Sequence, residues 1–167
     1  MRQFVFLALF AVTACATPNS PSAVASPAST PPKSTDASVV TWTRLFCTPD
    51  NESHFEAMTA PLEKTHFAPP ASPIYIGGGG PANKVVFGGF ESGWGADDVR
   101  TGKTHPTPVV QWITVLAGSM VIRTTDGDSR LFHTGDVIHL EDVASCRGHI
   151  THNEFSDALF LQFVQSH

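Results

Sequence analysis

An all-β fold is the class that the sequence predicts, and three observations support it. From Thr41 onward the apolar runs are short, and Gly, Pro, Asn or Asp interrupts them every several residues; this rhythm is typical of a β-sandwich or barrel. The chain contains 12 Phe and one Tyr, with many Val, Thr and Gly residues, and this composition favours a β-rich interior over a helical bundle. A helical period is found only in a short stretch at residues 54–58, so we expect no long helix.

Strands are predicted where apolar and polar residues alternate between turn residues. A hairpin is expected at residues 126–128, because the Asp-Gly pair there tolerates the positive φ angles of a tight turn. The predicted strands are residues 84–90, 109–116, 119–125, 129–133, 136–141 and 158–165.

Two glycine-rich segments are predicted to be connections rather than phosphate-binding loops. Residues 77–80, GGGG, are followed by neither Lys-Ser nor Lys-Thr and lack the G-x-G-x-x-G spacing at the start of a helix, so no nucleotide cofactor is expected. Residues 88–95, GGFESGWG, are typical of a strand end followed by a turn. Trp94 in this turn is expected to pack at the rim of the fold.

A length of 167 residues, of which 41% are hydrophobic and 15% charged, suits one domain with a substantial core.

The beginning of the chain has the pattern of an export signal. Arg2 precedes an apolar run over residues 4–12, which is too short for a transmembrane anchor. Val12, Thr13, Ala14 and Cys15 resemble the lipobox at which bacterial lipoprotein precursors are cut before the Cys is acylated.

Two outcomes of export are open, a lipid-anchored protein and a free one. Ala14, Cys15 and Ala16 also form an A-x-A site for ordinary signal peptidase, which would leave a periplasmic or secreted protein. Lipidation is favoured because the lipobox explains why a Cys stands there, and Ala16 favours the outer membrane of the bacterial envelope. We expect a signal peptide at residues 1–15, a disordered Pro-, Ser- and Ala-rich tether at residues 16–40, and a folded domain at residues 41–165.

The charge of the chain argues against nucleic acid as a partner. The formal net charge is -5 at pH 7, and Lys and Arg form no cluster that could grip a phosphate backbone. The expected partners are a small-molecule ligand and, through a lipid on Cys15, the membrane; a homodimer is compatible with the sequence. Cys47 and Cys146 either form a disulfide in an oxidising compartment or are two small buried apolar residues, and the sequence leaves both alternatives open.

Three motifs carry a resemblance to a known superfamily. They are H-x-T-x3-Q-x6-G at His105, Thr107, Gln111 and Gly118, then TGD at residues 134–136, then C-x-x-H-x3-N at Cys146, His149 and Asn153. This order resembles the two motifs of the cupins, and the resemblance covers essentially all of residues 41–165. The chain is also similar to a subgroup of small single-domain cupins that have an SHFE segment near the start and an ED...GHxT second motif.

The resemblance implies the cupin double-stranded β-helix, a jelly-roll barrel, with a divalent transition metal such as Fe, Mn, Zn or Ni inside it. The metal ligands that it implies are His105, Gln111 and His149. A fourth ligand would come from His54, water or substrate.

The sequence departs from the cupin motifs at four positions. Thr107 stands in place of the second His, Gln111 in place of the Glu, Cys146 in place of the Gly, and Ala144 in place of the Pro. The lost imidazole and the lost carboxylate lower the expected metal affinity, because an amide oxygen brings no charge to offset that of the ion.

Strand geometry supports part of this site independently, because side chains alternate along a strand. A regular strand would place one set of side chains on the inward face, namely His105, Thr107, Val109, Gln111 and Ile113. In the second motif one face would carry His149, Thr151 and Asn153. His152 then lies at the solvated rim.

The same test sorts residues 136–142. Ile138, Leu140 and Asp142 share the apolar face, so His139 is expected at the surface, as is His133. Asp142 either faces the mouth or interior of the barrel or satisfies the backbone amides of its own turn.

Two functions fit these expectations. The first is a metal-dependent enzyme that acts on a small carbonyl- or enol-containing molecule, with the metal polarising an oxygen atom or binding dioxygen. The second is a metal-free small-molecule-binding module in the cell envelope, whose hydrogen-bonding groups inside an apolar cup are His105, Gln111, His149, Asn153 and Asp142. A transition metal retained by protein purified without a chelator would favour the enzyme.

Overall fold

The computed structural model describes residues 28–29, 34–153 and 157–166, and the signal peptide expected at residues 1–15 lies outside these ranges. Within them the regular structure consists of strands and one short helix. In chain order the elements are β1 (Ala28–Ser29), β2 (Val39–Cys47), β3 (Ser53–Pro61), β4 (Glu63–Thr65), β5 (Ile74–Ile76), β6 (Lys84–Phe90), α1 (Ala96–Thr101), β7 (Gln111–Ala117), β8 (Ser119–Thr124), β9 (Ser129–His133), β10 (Val137–Leu140), β11 (His149–His152) and β12 (Leu159–Gln165).

The strands form two main sheets. The larger sheet has the order β3-β2-β10-β7-β12-β6, the smaller sheet has the order β1-β9-β8-β11, and β4 pairs with β5 separately. Both main sheets are mixed, because β2 runs parallel to β10 and β1 runs parallel to β9, while the other neighbours are antiparallel. The expected all-β class is confirmed.

The core lies between the two main sheets, where the inward faces of their strands meet. Ile113 and Val115 of β7 are 4% and 1% exposed, whereas Trp112 and Thr114 beside them lie on the outer face. Burial of each large aliphatic side chain contributes about 1.5 to 3 kcal/mol to stability. The buried cluster consists of Leu45, Ile113, Val115, Met120, Ile122, Phe132, Ile138, Leu140, Leu159 and Leu161.

The predicted strands match best where turn residues bound both ends. β6 and β9 have the predicted bounds, and Gly127 forms the predicted hairpin with a φ of 93°. The strand expected at residues 109–116 begins later, at Gln111, because Pro106 and Pro108 cannot donate hydrogen bonds to a neighbouring strand. Val109 therefore does not join the inward face, and it is 39% exposed.

The structure adds elements at the start of the domain. Residues 54–58, where the sequence has a helical period, belong to β3, which pairs along its whole length with β2. β2 begins at Val39, inside the stretch expected to be a tether, and Ala28–Ser29 pairs with β9. In the described ranges no helix is long and apolar enough to cross a membrane.

His139 lies on the outer face of the larger sheet and is partly buried, in contrast to the expected surface position. Its ring stacks on Trp112 with 4.2 Å between centroids, and its Nδ1 lies 2.8 Å from Glu141 Oε1. Burial lowers the pKa of His139, an effect that Glu141 opposes and Arg44 reinforces. His133 is exposed, as expected.

We expect protonation of His139 to quench the fluorescence of Trp112, with a midpoint below the ordinary histidine pKa of about 6.5. Between the folded and unfolded pKa values the unfolded chain binds more protons, so the stability that neutral His139 contributes is full above about pH 6.5 and is lost as the pH falls toward the folded pKa. His139→Gln should remove the fluorescence transition. Fluorescence titration and urea unfolding measure both effects, with His133→Gln as the exposed control; a transition that survives in His139→Gln would contradict the assignment.

Candidate ligand site

A cavity of about 330 Å³ lies between the main sheets, and His105, Gln111 and His149 all line it. They come from three places in the chain: the segment before β7, the first residue of β7 and the first residue of β11. Thr151 and Gln165 add polar groups to the lining. The rest of the wall is largely apolar and includes Ile113, Met120, Ile122, Leu140, Leu159, Leu161 and Phe163.

His105 and His149 are held side by side by the backbone. The N–H of each residue donates to the carbonyl of the other, at 2.9 Å from His105 N and 3.0 Å from His149 N, which makes an isolated antiparallel bridge. Residues paired in this way project their side chains to the same side, and the ring centroids are 4.7 Å apart. The two predicted imidazoles therefore form a pair at one end of the cavity.

Asp142 fixes the orientation of His149. Its Oδ2 lies 2.6 Å from His149 Nδ1, and its Oδ1 accepts a hydrogen bond from the Thr107 hydroxyl at 2.6 Å. Asp142 is 0% exposed and Thr107 is 1% exposed, so these contacts replace the water that a carboxylate would otherwise bind. Since Nδ1 is engaged with Asp142, Nε2 is the nitrogen that His149 can offer to the cavity. The alternative in which Asp142 only satisfies its own turn is wrong.

Gly148 permits the close approach of the two motif segments. Its φ is 82°, and a Cβ at this position would overlap the carbonyl carbon and oxygen of His105 and the nitrogen of Pro106. Ser53, which is fully buried, donates its hydroxyl to the Gly148 carbonyl at 2.6 Å. Glycine is therefore required immediately before His149.

Cys146 forms a disulfide with Cys47. The two Cα atoms are 5.8 Å apart, and the bond joins residues 99 positions apart in the sequence. Of the two alternatives that the sequence leaves open for this pair, the structure contains the disulfide. The bond ties the end of β2 to the loop that leads into His149.

His54 lies outside this cavity. Its Nδ1 is 2.7 Å from Asp126 Oδ2 and its Nε2 is 3.1 Å from Thr48 Oγ1, and it is not among the lining residues. It is therefore not positioned to supply the fourth metal ligand that the cupin resemblance implies.

The residues of the second motif lie in different environments. Thr151 lines the cavity together with His149, as the strand alternation predicts. Asn153 is also buried, but its amide donates to the Asp157 carbonyl at 2.6 Å and it is not part of the cavity wall. His152 is half-buried rather than solvated, and Gly95 lies so close to it that a Cβ at Gly95 would stand 2.9 Å from the His152 Cα and Cβ.

Trp94 is a lining residue that the sequence analysis assigned only to the rim. It is 38% exposed and meets Phe90 edge to face with 4.7 Å between centroids. It lines both the cavity and an adjoining cleft of about 260 Å³ that contains Asp98 and Lys103. Gly95, the next residue, has a positive φ of 81°. The glycine after Trp94 is the local sequence signal for this turn.

Two histidines and uncharged residue types supply the polar groups of the described cavity lining. Burial lowers the pKa of His105, and the neighbouring His149 adds to this while Asp142 opposes it. Among the residues that the structure describes, no Asp, Glu, Lys or Arg side chain belongs to the cavity lining. Among the described residues no group of three or more His, Cys, Asp or Glu side chains is placed to hold a metal ion, so any metal here would depend on the Gln111 amide.

Comparison of the chain with protein-family models and with curated proteins finds no match.

Asp142→Asn should lower the free energy of unfolding by about 1 to 3 kcal/mol, because an amide NH₂ replaces one of two acceptor oxygens and leaves a buried partner unsatisfied. Urea denaturation measures the loss, and nitrogen chemical shifts of the His149 ring report the change at Nδ1. Asp97→Asn is the control, since the Asp97 side chain is 88% exposed; its effect should stay within about 0.5 kcal/mol. Equal effects of the two substitutions would mean that the buried contacts of Asp142 contribute nothing.

Proposed function

We propose that the cavity binds a small molecule, with an apolar body among the aliphatic side chains and a polar end at His105, Gln111 and His149. The observation that carries this proposal is the uneven distribution of polarity around a space of about 330 Å³. Ligand sites of about 300 to 1,000 Å³ with mainly apolar walls and a few convergent polar groups are typical of small-molecule binding.

We also propose that the fold is a cupin double-stranded β-helix. Support comes from the two motif segments, which meet at the bridge between His105 and His149, and from the two mixed sheets that enclose the cavity. A solved structure in which the strands follow a different order from β3-β2-β10-β7-β12-β6 would count against it.

A metal-dependent enzyme is the second candidate, and the contact between His149 Nδ1 and Asp142 favours it. Histidines that bind metals commonly engage a carboxylate through the other ring nitrogen, and Asp142 lies 2.6 Å from Nδ1. His105, Gln111 and His149 offer two nitrogens and one oxygen to a divalent ion, and these residues would hold it. Such an ion would polarise the carbonyl or enol oxygen of a small molecule. The affinity should be low, because none of the described residues contributes a carboxylate to the cavity lining.

Two measurements separate these candidates. Binding is tested with 1-naphthalenemethanol and methyl NMR; the expected shifts are confined to lining residues such as Ile113, Met120 and Ile122, and shifts only on the outer face would contradict the proposal. Elemental analysis of protein purified from metal-replete medium without a chelator tests the enzyme. A stoichiometric metal that is lost in His105→Ala and His149→Ala supports the enzyme, whereas binding of the alcohol without any metal supports the binding module.

We propose that the protein is exported and anchored by a lipid on Cys15, in the outer membrane of a bacterial envelope. The support is the Val12-Thr13-Ala14-Cys15 sequence and the Pro- and Ser-rich stretch after it. Cys15→Ser should abolish incorporation of labelled fatty acid. Unchanged labelling would exclude this anchor, and a processed but unlabelled wild-type protein would indicate the periplasmic or secreted form.

A further inference from the structure

The charge balance of the cavity restricts the chemistry of its ligand. We infer that the ligand is an uncharged molecule with a hydroxyl or carbonyl group at one end of an apolar body. This inference rests on the proposed binding function and goes further, since it excludes carboxylates and amines as ligands of the site.

Among the residues that the structure describes, no Asp, Glu, Lys or Arg side chain lines the cavity, so none of these groups is there to neutralise a charged ligand. The polar members of the described lining are histidine, glutamine and threonine side chains. An ionised group that leaves water for such an enclosure loses its hydration without gaining a counter-charge, which disfavours its binding. A neutral group of the same size loses only its hydrogen bonds to water, and the polar side chains of the cavity can replace them.

The carboxylate nearest to the paired histidines is already satisfied. One oxygen of Asp142 accepts the Thr107 hydroxyl and the other contacts His149 Nδ1, both at 2.6 Å. Asp142 is 0% exposed, so an ammonium group in the cavity could not reach it without breaking these contacts. The charge of Asp142 is therefore engaged by Thr107 and His149 and is not available to a ligand.

The next charged groups lie outside the cavity. Asp98 and Lys103 line the adjoining cleft, and the described residues that it shares with the cavity are Trp94 and His105. They carry opposite charges, so the cleft as a whole does not favour a ligand of either sign.

The polar end of the cavity suits neutral hydrogen-bonding groups. Gln111 is 6% exposed and can both donate and accept through its amide. A neutral imidazole has one donor and one acceptor nitrogen, and the rings of His105 and His149 lie side by side at this end of the cavity, with 4.7 Å between their centroids. A hydroxyl can donate to one of these groups and accept from another, and a carbonyl can accept from Gln111 or His105.

Three probes of nearly equal shape and different charge test the inference on the unmodified protein: 1-naphthalenemethanol, 1-naphthoate and 1-naphthylmethylammonium. Methyl NMR titrations at neutral pH give their dissociation constants. We expect the alcohol to bind at least about tenfold more tightly than either ion, a difference of about 1.4 kcal/mol. Tighter binding of the carboxylate or the ammonium would overturn the inference while leaving the binding function in place. Binding of none of the three would instead contradict the proposed function itself.

Gln111→Glu provides the matching gain of charge inside the cavity. The substitution should reverse the preference, so that the ammonium probe binds more tightly than the alcohol. Gln162→Glu is the control, because Gln162 pairs with Phe87 and Thr114 and does not line the cavity; it adds the same charge and should leave the order unchanged. A folded Gln111→Glu protein with the original order of preference would overturn the inference. Should that variant fail to fold, the three probes on the unmodified protein decide.

Discussion

Gly148→Ala is expected to lower the free energy of unfolding by about 2 to 6 kcal/mol, as the sum of backbone strain and overpacking. The φ of 82° at Gly148 lies in the left-handed region, and the added methyl group would overlap the backbone of His105 and Pro106. Neither neighbour can give way by a side-chain rotation, since the atoms that collide belong to the main chain. The segment that carries His105 must therefore move away from His149.

Gly127→Ala separates the two causes of this loss. Gly127 has a similar φ of 93°, but nothing lies within 4 Å of the place that a Cβ would take, so only the strain of about 1 to 2 kcal/mol remains. Urea denaturation of the two variants gives the difference, and ring NMR signals of His105 report whether the imidazole pair is disrupted. Equal losses in the two variants would show that the close approach at Gly148 is relaxed at no cost.

The sequence predicted strand limits best where the two faces of a strand differ in polarity and turn residues mark its ends. β9 is bounded by the Asp-Gly hairpin and by Gly135, and its predicted limits are those observed. The two faces of β2 and β3 do not differ in polarity in this way. Apolar residues are found both in the core, such as Leu45, and at partly buried positions, such as Trp42, Phe46 and Met58. Apolar residues on both faces weaken the period of two on which strand prediction depends.

In the candidate site, too, some residues could be predicted from the sequence and others could not. His105, Gln111 and His149 could be selected because the motif spacing marks them, and all three line the cavity. The contacts of Asp142 could not be derived from the sequence, because Thr107 is 35 residues away along the chain. Strand alternation placed Val109 on the inward face wrongly, because two prolines interrupt the strand that the alternation assumes.

Replacement of both half-cystines, Cys47→Ser with Cys146→Ser, should lower the free energy of unfolding by about 4 to 5 kcal/mol. The bond joins residues 99 positions apart, and in the chain-entropy model a loop of about 100 residues corresponds to roughly 4.7 kcal/mol at 25 °C. Such a loss is a large share of the roughly 5 to 15 kcal/mol that a typical domain has. Urea denaturation with and without dithiothreitol measures it: the reductant should shift the midpoint of the unmodified protein and leave that of the double variant unchanged.

The same variant should also weaken ligand binding, because the disulfide anchors the loop that leads into His149. Without it the loop keeps hydrogen bonds from Cys146 N–H to the Val143 carbonyl at 2.8 Å, from Arg147 N–H to the Asn51 carbonyl at 3.1 Å and from the Ser53 hydroxyl to the Gly148 carbonyl at 2.6 Å. These neutral bonds contribute only about 0.5 to 1.5 kcal/mol each, so the position of Gly148 against His105 becomes less defined while the sheets stay intact. We expect an unchanged far-ultraviolet circular dichroism spectrum and weaker binding of 1-naphthalenemethanol. A midpoint that dithiothreitol does not shift in the unmodified protein would mean that Cys47 and Cys146 are not joined, and binding that survives unchanged would mean that the bond stabilises the fold without positioning His149.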